Sequence, residues 1–200
     1  MEDRQSNLYQ LFLDRASAAS AQVIGANSKK EAAQALAKII EAEKVSKIVA
    51  ESSPMVQECV GFLEEKGLLY QNGEGAQGKP RVFFEDLRHH AQDAGMGISE
   101  MALAVAETGS VVGDSSSMES RLVSTLPPVH VALVPASGLV ANVGEAIERF
   151  YGAGSIPGYL SFISGPSRTA DIERVLTIGV HGPERLYIIL YDEKGVANPD

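Results

Sequence analysis

Apolar residues recur at Leu8, Leu11, Phe12, Ala16 and Ala19, the spacing that lines one side of a helix, so the first twenty residues are predicted to form an amphipathic helix. Ser28 followed three residues later by Glu31 is a capping box, and behind it Ala32, Ala35, Leu36, Ile39 and Ile40 make a second apolar stripe. The run from Val45 to Ala50 reads as a strand. Ser53-Pro54 then opens a helix that Gly67 closes, and Leu68-Leu69-Tyr70 reads as a short strand. Residues 71–81, QNGEGAQGKPR, form a polar, glycine-rich surface loop. Beyond it come Val82-Phe83-Phe84, a polar stretch to Gly97, and a strand–turn–strand from Ala102 to Val112. A helix from Ser117 to Thr125 ends before Pro127-Pro128, and Val129 to Val134 is an apolar strand. Asn142 and Glu145 cap a helix to Tyr151, and strands follow at Tyr159–Ile163 and Leu186–Tyr191.

Helix and strand alternate, which predicts an α/β fold with helices packed on a parallel sheet. Two hundred residues suffice for one domain spanning 1–200 and leave little room for two. A formal charge of −9 argues against nonspecific binding to nucleic acid or anionic membrane. The start of the chain has no apolar signal segment and no run is long enough to span a bilayer, so the expected location is cytoplasmic. Cys59 is the single cysteine and sits between apolar neighbours in a predicted helix, the setting of a buried, inert thiol. One cysteine cannot supply the roughly four thiolates of an iron–sulfur cluster.

Three loops carry residues beyond what a turn needs. In Ala106-Glu107-Thr108-Gly109-Ser110, a carboxylate ends an apolar strand beside two hydroxyls, and burial there would suit Glu107 to general-base or nucleophile duty. A hairpin turn with a solvated Glu is the plainer reading. Ser164-Gly165-Pro166-Ser167-Arg168-Thr169-Ala170-Asp171 joins a strand to an expected helix start, where backbone N–H groups, hydroxyls and Arg168 would hold an anion. Alternatively Thr169 is only the N-cap and Asp171 complements the dipole, although a cation at a helix start opposes it. His181, between glycines in GVHGP, could exchange a proton near neutral pH and share that pocket. Glu85, Asp86, His89 and His90 would form i,i+4 pairs on a helix, a spacing able to hold a divalent metal, but a solvated polar face is the stronger reading and no metal is expected.

The strings AETGS (106–110), LPPVHV (126–131), SGPSRTADIE (164–173) and GVHGP (179–183) together resemble the motif series of the lactate-utilisation protein C family, the stand-alone kind of LUD domain. The likeness covers roughly Met96 to Tyr191, with Thr125 standing where a more apolar residue is expected before LPP. It implies a Rossmann-like three-layer sheet of the sugar-phosphate isomerase and CoA-transferase type. It also implies a cluster-free component of an L-lactate-to-pyruvate oxidation system, holding no cofactor itself and acting with iron–sulfur partner proteins. Glu107 and His181 are then the candidate catalytic residues. Thr108, Ser110, Ser164, Ser167, Arg168, Thr169 and Asp171 are the candidates for binding a small anionic substrate. The alternative is a stand-alone acyl-transfer or isomerase-like enzyme using Glu107 with the 164–171 loop, and only fold analogy supports it.

Overall fold

The computed structural model describes residues 2–71, 78–152, 157–170, 176–178 and 182–192. Its first half runs α1 (Glu2–Ala18), β1 (Gln22–Ala26), α2 (Lys29–Glu43), β2 (Lys47–Ala50), α3 (Pro54–Glu65), β3 (Tyr70–Gln71), β4 (Arg81–Phe83), α4 (Leu87–His90) and β5 (Met96–Glu100). The second runs β6 (Leu103–Val105), β7 (Ser110–Asp114), α5 (Met118–Thr125), β8 (Val129–Pro135), β9 (Leu139–Val140), α6 (Val143–Gly152), β10 (Leu160–Ile163), β11 (Arg168–Ala170), β12 (Leu176–Ile178) and β13 (Arg185–Tyr191).

Seven strands pair in parallel in the order β1-β13-β8-β5-β2-β4-β3. The strand period of two divides their side chains between the faces. On β8, Val129, Val131 and Leu133 pack with the stripes of α2 and α3, while Ala132 and Val134 join Phe12 and Ala16 of α1. A second, four-stranded sheet, β10-β7-β6-β9, lies on the α1 side and is backed by α6 through Val105, Val112, Val140 and Ala146. The architecture is the expected three-layer α/β sheet with this smaller sheet added.

Local signals act as the sequence suggests at two helix starts. Ser28 Oγ accepts the Glu31 N–H (3.2 Å) while Glu31 accepts the Asn27 N–H (2.8 Å); likewise Asn142 Oδ1 accepts the Glu145 N–H (2.9 Å) while Glu145 accepts the Ala141 N–H (3.0 Å). Ser53 precedes α3 as expected, but its hydroxyl caps nothing; the Glu100 carboxylate accepts the Met55 N–H instead (3.2 Å).

Two strands of the seven-stranded sheet carry no clear sequence signal. β1 is a weakly apolar edge strand. β5 is central, yet reads Met-Gly-Ile-Ser-Glu, because α5 approaches too closely for a side chain at Gly97. A Cβ there would lie 1.9 Å from the Val123 carbonyl oxygen. Ser99, on the same face, is buried against His130, so the face that would have carried the apolar signal is given to a close backbone contact and a hydrogen bond.

Candidate functional site

The two best-marked motif loops converge on the end of α1. The 106–110 segment is the β6–β7 turn, with Gly109 at φ 66° and a backbone so close to α1 that a Cβ would sit 2.3 Å from the Ala16 nitrogen. Gly165, at φ 76°, approaches the same helix: a Cβ there would lie 2.0 Å from the Ala19 carbonyl oxygen. Ser110 Oγ ties the loops together, donating to Thr108 Oγ1 (2.7 Å) and accepting from Ser164 Oγ (2.5 Å). Arg168 Nη2 donates to Ser20 Oγ, just beyond the carboxyl end of α1, where a cation complements the helix dipole.

That placement corrects one expectation. No helix begins at Thr169: residues 168–170 form β11, an antiparallel partner of β12, so Thr169 is not an N-cap and Arg168 does not stand at a helix start. Glu107 is exposed on the turn with its N–H donating to the Ala141 carbonyl (3.0 Å), as the plainer reading of a hairpin turn has it, and the burial that would suit it to base or nucleophile duty is not found. Asp171 and His181 lie outside the described residues.

On one side of these loops is a groove of about 730 Å³ between α5 and β10. Ser164 and Ser167 line it with the Gly182-Pro183 backbone, and the Ser167 N–H donates to the Pro183 carbonyl (2.8 Å). Hydroxyls of Ser161, Ser124 and Thr125 add polar groups, and Tyr159 and Phe162 present exposed rings. Among the described residues the cation of this groove is Arg121; Arg168 does not line it. Both Nη1 hydrogens of Arg121 are spent on the Ser115 and Ser116 carbonyls (2.5 and 3.0 Å), while its guanidinium carbon lies 5.9 Å from the Tyr159 ring centre. Nε and Nη2 have no partner among the described residues, which leaves one edge of the guanidinium open for side-on pairing with a carboxylate.

The family of LUD domains matches this chain over residues 9–191, nearly its whole length. The chain belongs to the LUD domain family. Among similar curated proteins are those called lactate utilization protein C from Shouchella clausii (42% identity over 107 residues), Halalkalibacterium halodurans (38% over 113) and Bacillus subtilis (36% over 108). The aligned segments cover 52–54% of this chain and 45–49% of those proteins, so the match spans about half the length of each. A crystal structure of a DUF162 family protein from Deinococcus radiodurans superposes with a TM-score of 0.63, covering 94% of this chain and 98% of that one at 20% identity, and shows the same fold. Among the described residues no helix is long and apolar enough to cross a membrane.

Within this LUD domain the carboxyl ends of the parallel strands, the usual ligand edge of such sheets, hold a polar cluster that no sequence motif marks. Glu51 follows β2 and Glu100 ends β5. Glu51 accepts from the Ser120 hydroxyl (2.6 Å) and the Glu100 N–H (3.4 Å), and Tyr191 donates to Glu100 (3.3 Å). Burial, with the Glu100 and Asp114 charges adding to it, pushes the Glu51 carboxyl above the usual range against the opposing pull of those hydrogen bonds. A Glu placed immediately at the end of each apolar run, Lys-Ile-Val-Ala-Glu and Met-Gly-Ile-Ser-Glu, was the available signal. Arg121 had none, because only the tertiary fold brings α5 to β10.

The remaining candidates resolve locally. Helix α4 begins only at Leu87, so the i,i+4 pairs do not form: His89 Nδ1 meets Asp86 Oδ1 (2.5 Å), and His90 stacks on Phe83 with ring centres 3.9 Å apart. His130 is wholly buried, bonded through Nε2 to Ser99 Oγ (2.7 Å), with Nδ1 unpartnered among the described residues; burial lowers its pKa to about 4. Cys59 is buried, and burial pushes its thiol up to about 12.

Proposed function

We propose that this LUD domain works in lactate utilisation, as a cluster-free component that acts with iron–sulfur proteins in oxidising L-lactate to pyruvate, and that the α5–β10 groove receives the small organic anion. The observation that carries the site is Arg121, with Nε and Nη2 unpartnered among the described residues, lining a groove with several hydroxyls. A 2-hydroxy acid offers a carboxylate for the guanidinium and a hydroxyl for Ser161, Ser164 or Ser167, so both ends of a small ligand find partners. The lactate assignment is supported by the family match and by the names of relatives at 36–42% identity. The division of labour is supported by the one cysteine, whose buried thiol at about 12 is unsuited to ligating a cluster. Arg168 and the Ser110–Ser164 pair then hold the groove's loop in place from behind.

Removing the gene and restoring it as wild type or Arg121→Ala tests this reading. Growth on L-lactate is expected to fail in the deletion, to return with wild type, and to stay at least tenfold slower with the variant, while growth on glucose is unaffected. Normal growth of the deletion strain on L-lactate overturns the functional assignment. Full rescue by Arg121→Ala overturns the site.

A further inference from the structure

A second cavity, of about 930 Å³, lies on the opposite face of the main sheet, where α2 and α3 end beside the first residues of β2 and β4. Its size falls in the range of small-molecule sites. The floor is aliphatic, made of the buried side chains of Ile40, Leu63 and Leu69, and Leu68 stands in it 43% exposed. Its mouth is cationic. Lys38, Lys44, Lys79 and Arg81 all line it, exposed and without an ion-pair partner among the described residues, against the single carboxylate of Glu41. In a chain of formal charge −9, four cations around one apolar floor, unpaired among the described residues, reverse the general balance.

The shape and charge select an occupant. Aliphatic walls take a hydrocarbon chain, and among the described residues no aromatic side chain lines the cavity to stack a nucleotide base. Several separate ammonium and guanidinium groups match a head group with more than one negative charge. We propose that this groove binds a soluble acyl or alkyl anion with a doubly charged head group, of the alkyl phosphate class. The site is separate from the α5–β10 groove and does not depend on the lactate assignment.

Octyl phosphate is the probe, with octyl glucoside carrying the chain alone, inorganic phosphate the charge alone, and phosphatidylglycerol vesicles the membrane alternative. Titration calorimetry with methyl-labelled protein is expected to give at least tenfold tighter binding of octyl phosphate than of either fragment, with shifts at Ile40, Leu63 and Leu69. Raising the salt is expected to weaken it, because the cations are exposed. Charge reversal at two exposed positions, Lys79→Glu with Arg81→Glu, is expected to weaken binding at least tenfold with the melting transition unchanged. If that variant does not fold, the salt series and methyl shifts of the wild type decide. Equal affinity for octyl phosphate and octyl glucoside, shifts elsewhere, or binding to vesicles without binding to octyl phosphate would each overturn the proposal.

Discussion

Replacing Gly165 by Ala tests whether the motif glycines exist to seat their loops on α1. Two costs are added. The residue has φ 76°, where a side chain costs about 1–2 kcal/mol. The new Cβ would also lie 2.0 Å from the Ala19 carbonyl oxygen, and forcing packed backbone apart costs about 1–3 kcal/mol more. Gly67 isolates the first cost, since it has φ 64° but nothing within 4 Å of a built Cβ. For a domain of this size each kcal/mol moves the melting temperature by about 2–4 °C, so Gly67→Ala should lower it by about 2–8 °C and Gly165→Ala by about 2–12 °C more. Urea titrations of both variants should show the same order in midpoint with unchanged slope. Melting temperatures within about 1 °C of each other would refute the reasoning, leaving Gly165 as an ordinary turn glycine.

Two further outcomes follow from buried groups. Because burial lowers the folded pKa of His130 to about 4, below its unfolded 6.5, its contribution is whole above pH 6.5 and is lost as the pH falls toward 4. At pH 4.5 the loss is on the order of 2–3 kcal/mol, so the fall in unfolding free energy between pH 7 and 4.5 should be smaller by that amount in His130→Gln; an equal fall would contradict it. Cys59, with its thiol at about 12 and no solvent exposure to speak of, should resist a disulfide reagent at pH 8 in the native protein and react fully in guanidinium. Rapid labelling of folded protein would show the core around α3 to be open.

Much of the fold was legible because the helices carry full apolar stripes and reciprocal caps, and because β8 and β13 are apolar along most of their length. What stayed hidden was written in close backbone approach. Gly97 and Ser99 spend one face of the central strand on α5 and His130, so β5 shows no apolar run. The motif loops were visible as strings, but their partners were not. Nothing local says that Gly109 and Gly165 press on one helix, or that Arg168 serves its carboxyl end. The 164–171 string reads as a helix start, but antiparallel pairing of 168–170 with 176–178 makes it a hairpin strand. Arg121 was hidden because its helix meets β10 across residues far apart in sequence.

The proposed role, a cluster-free lactate-utilisation component acting with iron–sulfur proteins, is tested by affinity capture of the tagged protein from cells grown on L-lactate. The captured fraction and the depleted extract are then assayed for iron, acid-labile sulfide and lactate-dependent dye reduction. Iron–sulfur proteins are expected to be retained on the tag, and dye reduction to fall in the depleted extract and return when the captured fraction is added back. Capture of the chain alone, from an extract that oxidises lactate as fast without it, would contradict the account.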